Sequence, residues 1–319
     1  MDTLQNYRFI TDLKFITMKK LVIAAGTGFL GQVLANHFKD TFEEIAILTR
    51  GTAKKVTNIN YIKWDSKTLT GWENALENAT VLINLAGKSV DCRYTDENKK
   101  EILASRINST NVLNQAVLQC QNPPLHWLNS GTATIYRHSL DKQMDEDTGE
   151  IGDNFSMNVA KAWENAFFET DTPKTKKTVL RTSIVLGKNG GAYLPLKNLA
   201  KFGFGGKQGN GNQFVSWIHE KDFANAVGFI IEKQLNGAVN IVAPNPVPNL
   251  EFMKALRKSL GVQTGIPIGE KLLSIGAKLI GTETELVLKS RNVIPKRLIE
   301  NGFTYEFGSI EKALNDLAE

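Results

Sequence analysis

Residues 19–31 read KKLVIAAGTGFLG, an apolar run over 21–25 that ends directly in Gly26-Thr27-Gly28-Phe29-Leu30-Gly31. An all-apolar run suits a parallel strand buried on both faces, and the glycines behind it impose a tight turn into a helix. Glycines at this spacing let a helix N-terminus meet a pyrophosphate: Gly26 permits the turn, Gly28 the close approach of backbone to phosphate, and Gly31 the packing of helix on strand. The same spacing serves ordinary turns and methyltransferases, so the rest of the chain must agree.

Residues 32–38 continue as a helix and 44–49 as a second strand, completing a βαβ unit. Strands are predicted at 59–64 and 81–86, with a short helix at 71–77 between them. A long helix at 96–119 places Leu103, Ile107, Leu113 and Val117 near one face, and Pro123-Pro124 stops it. Strands at 125–130, 178–186 and 238–242 follow, with helices at 155–169 and 223–232. This alternation predicts an α/β fold, a Rossmann-type doubly wound parallel sheet of about seven strands. Glycine enrichment over 187–211 and a helical pattern from 249 onward predict a smaller, mostly helical C-terminal substrate lobe. The expected division is a nucleotide-binding domain of residues 18–186 with 214–248, and a lobe of residues 187–213 with 249–319. Residues 1–17 lack a signal-peptide core and precede Met18-Lys19-Lys20, so they read as an extension outside the fold.

With 319 residues, 42% of them hydrophobic, the chain can bury a large core. Its 38 basic and 33 acidic residues are scattered, which describes a solvated surface rather than a nucleic-acid partner. Cys92 and Cys120 stand without a CxxC or a histidine-cysteine cluster, which argues against a disulfide framework or a metal site and fits a reducing cytoplasm. No apolar run approaches the roughly 20 residues of a membrane span. Monomer and homodimer both remain open.

The nucleotide follows from the end of the second strand. A carboxylate there binds both ribose hydroxyls and selects NAD, whereas a cation binds the 2′-phosphate. Here Leu48-Thr49-Arg50 is followed by Lys54 and Lys55, which favours NADP over NAD; alternatively Arg50 merely ends a surface strand.

From Asn84-Leu85-Ala86-Gly87 onward the chain resembles the extended or atypical short-chain dehydrogenase/reductases. It is most similar to an NAD(P)-dependent epimerase/dehydratase-like family with a distinctive C-terminal module. The residues carrying this are NLAG with Arg93-Tyr94-Thr95, Ser105-Arg106 with Thr110, SGTATIY at 130–136, Trp163-Glu164, Leu180-Arg181-Thr182, GNGNQFVSWIHEKD at 209–222, APNPVPN at 243–249 and PKRLIENGF at 295–303. The resemblance implies that Gly26, Thr27, Gly28, Phe29, Leu30 and Gly31 bind the pyrophosphate. It places Trp64 and Asp65 beside the adenine, with Asp65 accepting from its amino group, and Asn84, Leu85, Ala86 and Gly87 along the ribose and phosphate path. Thr182 to Ile184 would run beside the nicotinamide, and Thr132 falls where the family's Ser or Thr polarises a carbonyl. Each has a plainer alternative: a strand-end hydroxyl for Thr132, a loop cap for Asp65, a buried strand and turn for NLAG.

The superfamily's general acid is a Tyr-x-x-x-Lys pair one helical turn apart, where the ammonium lowers the tyrosine pKa and grips the ribose. The matching helix is read as Met157-Asn158-Val159-Ala160-Lys161: the lysine is present and methionine stands for tyrosine. Tyr193 to Lys197 spells the motif but contains Pro195 and follows the sixth strand, so it reads as a decoy. Tyr136 and Tyr94 become the alternative acids, and Arg106 replaces an asparagine common in the superfamily. Met157, Gln213, Trp217 and His219 are expected substrate contacts, with Trp217 as core and Asp222 as a helix cap the plainer readings.

Two functions follow. One is an NADP-dependent oxidoreductase or epimerase-like enzyme acting on a small carbonyl or nucleotide-sugar-like substrate, with Thr132, Lys161 and Tyr136 as catalytic residues. The other is an NADP(H)-binding sensor whose chemistry left with the tyrosine.

Overall fold

The strands form where apolar runs can be covered from both sides. A computed structural model describes residues 18–280 and 283–319. In chain order the elements are β1 Met18–Ala24, α1 Phe29–Phe38, β2 Phe42–Thr49, β3 Lys54–Val56, β4 Ile59–Lys63, β5 Val81–Asn84, α2 Asp96–Gln119, β6 His126–Thr132, α3 Phe155–Phe168, β7 Lys176–Thr182, β8 Ile184–Gly187 and β9 Gly190–Gly191. They continue with α4 Tyr193–Leu199, β10 Phe214–Val215, β11 Trp217–His219, α5 Glu220–Lys233, β12 Gly237–Ile241, β13 Val247–Pro248, α6 Asn249–Ser259, α7 Glu270–Ile280, α8 Glu285–Leu288, α9 Lys296–Glu300 and α10 Ile310–Ala318.

The main sheet has 8 strands in the order β12-β7-β6-β5-β1-β2-β4-β3. All its pairings are parallel except β3 with β4. Alternation along β1 divides the core: Leu21 and Ile23 meet α1 and α5 on one side, while Val22 and Ala24 meet α2 and α3 on the other. The seven expected strands are thus the seven parallel ones. β3, with three exposed residues, carries no apolar pattern and was not foreseen; it hairpins onto β4 and holds Lys54 above the Tyr61 ring.

Two expectations are corrected. The sixth strand breaks at Ser183, whose N–H turns to the Ile241 carbonyl; β7 stays in the main sheet while β8 leaves to pair with β11 and β9. On α2 the buried face runs through Ile102, Ser109, Leu113 and Ala116, and Leu103 is 37% exposed.

A further core gathers Leu186, Tyr193, Trp217, Phe252, Leu256, Phe307 and Leu314. It joins the β8–β11 ribbon to α4, α6 and α10, beyond the carboxyl end of the main sheet. Among the described residues no helix is long and apolar enough to cross a membrane.

Candidate functional site

The strand order reverses between β1 and β5, and ligands of open α/β sheets bind outside the carboxyl ends of strands at that point. The turn after β1 opens there. Its left-handed residue is Ala25, at φ 58°, so the role expected of Gly26 is corrected: a Cβ there would meet the Ile23 side chain at 2.9 Å. A Cβ on Gly31 would overlap the backbone of Gly26, so only glycine lets α1 start this close to the strand. Gly28 is the opposite case: it is the N-cap of α1, makes no side-chain cap, and a Cβ there would meet nothing within 4 Å. The first turn of α1 therefore faces open space with uncapped donors, the arrangement that receives an anion. Phe29 turns away, its ring lodged against Gly187, Gly190 and Gly191.

Beside the turn lies a cleft of about 330 Å³ lined by residues of every neighbouring strand end, among them Leu30, Leu85, Gly87, Thr132 and Thr182. Thr132 and Thr182 are register partners at the ends of β6 and β7. Thr132 Oγ1 accepts from the Thr134 N–H at 3.1 Å, leaving its own hydroxyl proton to be donated. Ser183 also lines the cleft, and its hydroxyl is buried without a hydrogen-bond partner among the described residues. Arg106 Nη1 donates to the carbonyls of Lys88 and Ile102, and the guanidinium lies over the Trp163 ring at 5.0 Å. Burial lowers its pKa to about 10, since no carboxylate is among its partners.

Arg50 is exposed at the end of β2 and makes no hydrogen bond or ion pair among the described residues. Among those residues no group of three or more His, Cys, Asp or Glu could hold a metal.

A family model described as the NAD dependent epimerase/dehydratase family matches residues 21–242, the whole span that builds this turn and cleft. The chain belongs to that family. Residues 272–317 match a second model, a domain of unknown function, DUF1731. The chain is 32% identical over 300 residues to the epimerase family protein YfhF of Bacillus subtilis, covering 93% of this chain and 97% of that protein. It is 29% identical over 303 residues to the mouse epimerase family protein SDR39U1, covering 93% and 99%. The crystal structure of human SDR39U1 (isoform 2) with NADPH superposes with a TM-score of 0.82 at 28% identity, covering 94% of this chain and 99% of that one.

In this member of the NAD dependent epimerase/dehydratase family, helix α3 does not present the residues expected of it. Ser156, Val159, Ala160 and Trp163 line the cleft. Met157 and Lys161 sit one residue out of phase: the Met157 sulfur packs at the Asn154 N–H, and the Lys161 ammonium pairs with Asp153 at 2.9 Å on the surface. The i, i+4 pairs of α3 that line the cleft are Phe155–Val159, Ser156–Ala160 and Val159–Trp163, so neither a tyrosine nor a lysine occupies one.

Tyr136 is also displaced. It is 2% exposed, donates to Asn240 Oδ1 at 3.0 Å and accepts from Arg181 Nη1 at 2.8 Å, which uses up its hydroxyl. Its partner Arg181 forks onto Glu164 with two bonds of 2.8 Å.

The loop residues read as substrate contacts are structural. Trp217 is fully buried in the C-terminal core, and Gln213 donates to the carbonyls of Gln208 and Val287. His219 caps α5 by accepting from the Lys221 N–H, stacks on Phe307, and lies 3.2 Å from Asp316. The nearby carboxylate does not charge it, because burial dominates and lowers its pKa to about 4. Asp222 accepts from the N–H groups of Glu306 and Phe307, tying α5 to the C-terminal segment.

Two residues expected along the nucleotide also make local structure. Asp65 accepts from Lys67, Thr68 and the Thr68 hydroxyl, whose bond lowers its pKa, so it closes its own turn. Asn84 bridges to Asn129 at 2.8 Å and accepts from the Ala86 N–H at 3.0 Å, shaping the NLAG turn from within. Trp64 is buried against Trp72, and Ala86 is buried as well.

His126 is likewise lowered to about 4, by burial and then by Lys176. A histidine ordinarily titrating near 6.5 binds its proton first in the unfolded chain, so folding stability is complete above that value and falls with pH down to about 4. Urea midpoints should therefore fall between those limits, by about 1–3 kcal/mol per histidine. His126→Gln should flatten the slope by about half; an unchanged slope would show that carboxylates set it.

Proposed function

We propose that the chain binds NADPH across the β1 turn and reduces or isomerises a small carbonyl compound in the adjoining cleft. The observation that carries this is the open, uncapped first turn of α1 leading into a cleft rich in hydroxyls, among them Thr132 and Ser183, the latter without a hydrogen-bond partner among the described residues. The residues present fit the cofactor. The turn from Gly26 to Gly31 receives the pyrophosphate, Arg50 takes the 2′-phosphate as a charge-assisted fork, Gly87 lets the Arg106 guanidinium pack close against the cleft wall, and the Ser183 hydroxyl gains a partner. When bound, NADPH supplies a hydride at its nicotinamide.

Thr132 then donates to the substrate carbonyl oxygen and fixes its orientation. Arg106, charged and largely out of water, stabilises negative charge that develops on that oxygen. A cleft of about 330 Å³ lies at the small end of the roughly 300–1,000 Å³ typical of ligand sites, which favours a small carbonyl compound over a nucleotide sugar. Residues 187–213 with 249–319 would form the substrate lobe. The second reading, an NADPH-binding sensor without turnover, is favoured by the Ser156–Ala160 pair where the superfamily's acid and lysine would stand.

The test is NADPH binding by nicotinamide fluorescence, followed by NADPH oxidation against a panel of aldehydes and ketones. Arg50→Ala should weaken NADPH about 10-fold to 100-fold, about 1.4–2.8 kcal/mol, and leave NADH binding unchanged. Equal losses for both nucleotides would remove Arg50 from the phosphate site, and binding without turnover would leave the sensor.

A further inference from the structure

One segment tied to the cleft is not accounted for by the nucleotide-binding motifs. Residues Glu283 to Val293, inside the DUF1731 match, form a strap bonded to three residues of the cleft lining. Glu283 accepts from the Tyr94 N–H at 2.7 Å, and Glu285 accepts from the Ser156 hydroxyl at 3.0 Å. Lys289 donates to the Thr134 carbonyl and Arg291 to the Thr134 hydroxyl, both at 3.2 Å. Tyr94, Ser156 and Thr134 all line the cleft. We propose that Tyr94 exchanges the proton with the substrate oxygen, and that Ser156 and Glu285 are positioning residues connecting its phenol to solvent. This rests on the reductase reading above.

The geometry supplies each link. Tyr94 lies edge-on to Phe155 at 5.0 Å, which fixes its ring in the cleft wall. Its phenol interacts with the Ser156 hydroxyl, the cleft-facing residue where the superfamily pair would place tyrosine. Ser156 in turn donates to Glu285, whose side chain keeps 25% of its surface exposed and so meets water. Lys289 Nζ stands 3.7 Å from the other Glu285 oxygen, which has no hydrogen-bond partner among the described residues.

The phenol is faced by Ser156 from α3, Glu285 from α8, Arg291 from the strap, Cys92 from its own segment and Arg106 from α2. Burial, its largest influence, pushes the phenol above its ordinary value; Ser156 and Arg291 pull it down, and Glu285 pushes it up. It is therefore protonated at neutral pH and able to act as an acid.

Were NADPH bound, it would supply a hydride to the carbonyl carbon, and the π pair would pass to oxygen. That oxygen takes the Tyr94 proton, so the phenol O–H breaks as the alcohol O–H forms. The phenolate takes its proton back from water entering beside the partly exposed Glu285, whose carboxylate is held in place by the Ser156 hydroxyl. Charge and protons balance: one hydride and one solvent proton are consumed.

The test reads Tyr94 directly in the full chain without cofactor, as the tyrosinate absorbance of wild type minus Tyr94→Phe across an alkaline titration. Glu285→Gln should move this titration to lower pH and Ser156→Ala to higher pH, opposite shifts that place both groups at the phenol. With NADPH and a reducible carbonyl, Tyr94→Phe should lower kcat at least 100-fold while NADPH affinity stays within twofold. Retained turnover in Tyr94→Phe, or a Tyr94 titration that ignores Glu285→Gln, overturns the proposal. If wild type binds NADPH yet reduces nothing, the reductase reading fails by itself; the titration then decides whether the phenol is connected through Ser156 to Glu285.

Discussion

Gly31→Ala is expected to lose both NADPH binding and stability, whereas Gly28→Ala is expected to lose only binding. A methyl group on Gly31 would overlap the backbone oxygen, carbon and Cα of Gly26, and main chain cannot swing aside as a side chain can. Either α1 lifts from the strand or the turn re-forms, at about 3 kcal/mol, the upper end of the usual cost of overpacking. A methyl on Gly28 meets nothing in the protein, and its φ of −75° suits any residue. It would stand where the pyrophosphate approaches, so NADPH affinity should fall about 10-fold or more, at least ~1.4 kcal/mol, with an unchanged urea midpoint. Fluorescence titration and urea unfolding on both variants separate the two effects. Gly28→Ala that binds NADPH normally would move the phosphate off this turn.

Glu164→Ala should be the most destabilising change outside the turn. Arg181 and Glu164 form a fork with side chains only 11% and 13% exposed, and the same guanidinium anchors Tyr136, which anchors Asn240. Removing the carboxylate leaves a buried cation facing a neutral phenol, at about 3–5 kcal/mol. Replacing the pair together, as Glu164→Ala with Arg181→Met, should recover most of that loss, because the penalty comes from the unpaired charge. Urea midpoints of the two single variants and the double variant give the coupling. Additive losses would mean that the fork contributes little.

Residues at such a fork show what the sequence can and cannot reveal. Trp163-Glu164 and Leu180-Arg181-Thr182 were both visible as motifs, but that Glu164 holds Arg181 depends on α3 lying across β7. The parallel strands were legible because burial on both faces leaves unbroken apolar runs, as in residues 21–25 and 81–86. β3 was not, because three exposed residues of an antiparallel edge carry no pattern.

On α3 a lysine at the expected spacing attracted the motif to Met157 and Lys161, one residue away from the face that packs on the cleft. Spacing gave the period but not the phase. Gln213, Trp217 and His219 were read by their chemistry, yet each is buried and partnered by backbone or core. The strap at 283–293 left no local signal, since its ties to Tyr94, Thr134 and Ser156 span more than a hundred residues.

The ring of Phe29 against Gly187, Gly190 and Gly191 joins the turn after β1 to the β8–β9 hairpin. If the turn holds NADPH as proposed, thermodynamic reciprocity requires that anything which tightens the nucleotide by steadying the hairpin is itself bound more tightly, by the same factor, once the nucleotide is in place.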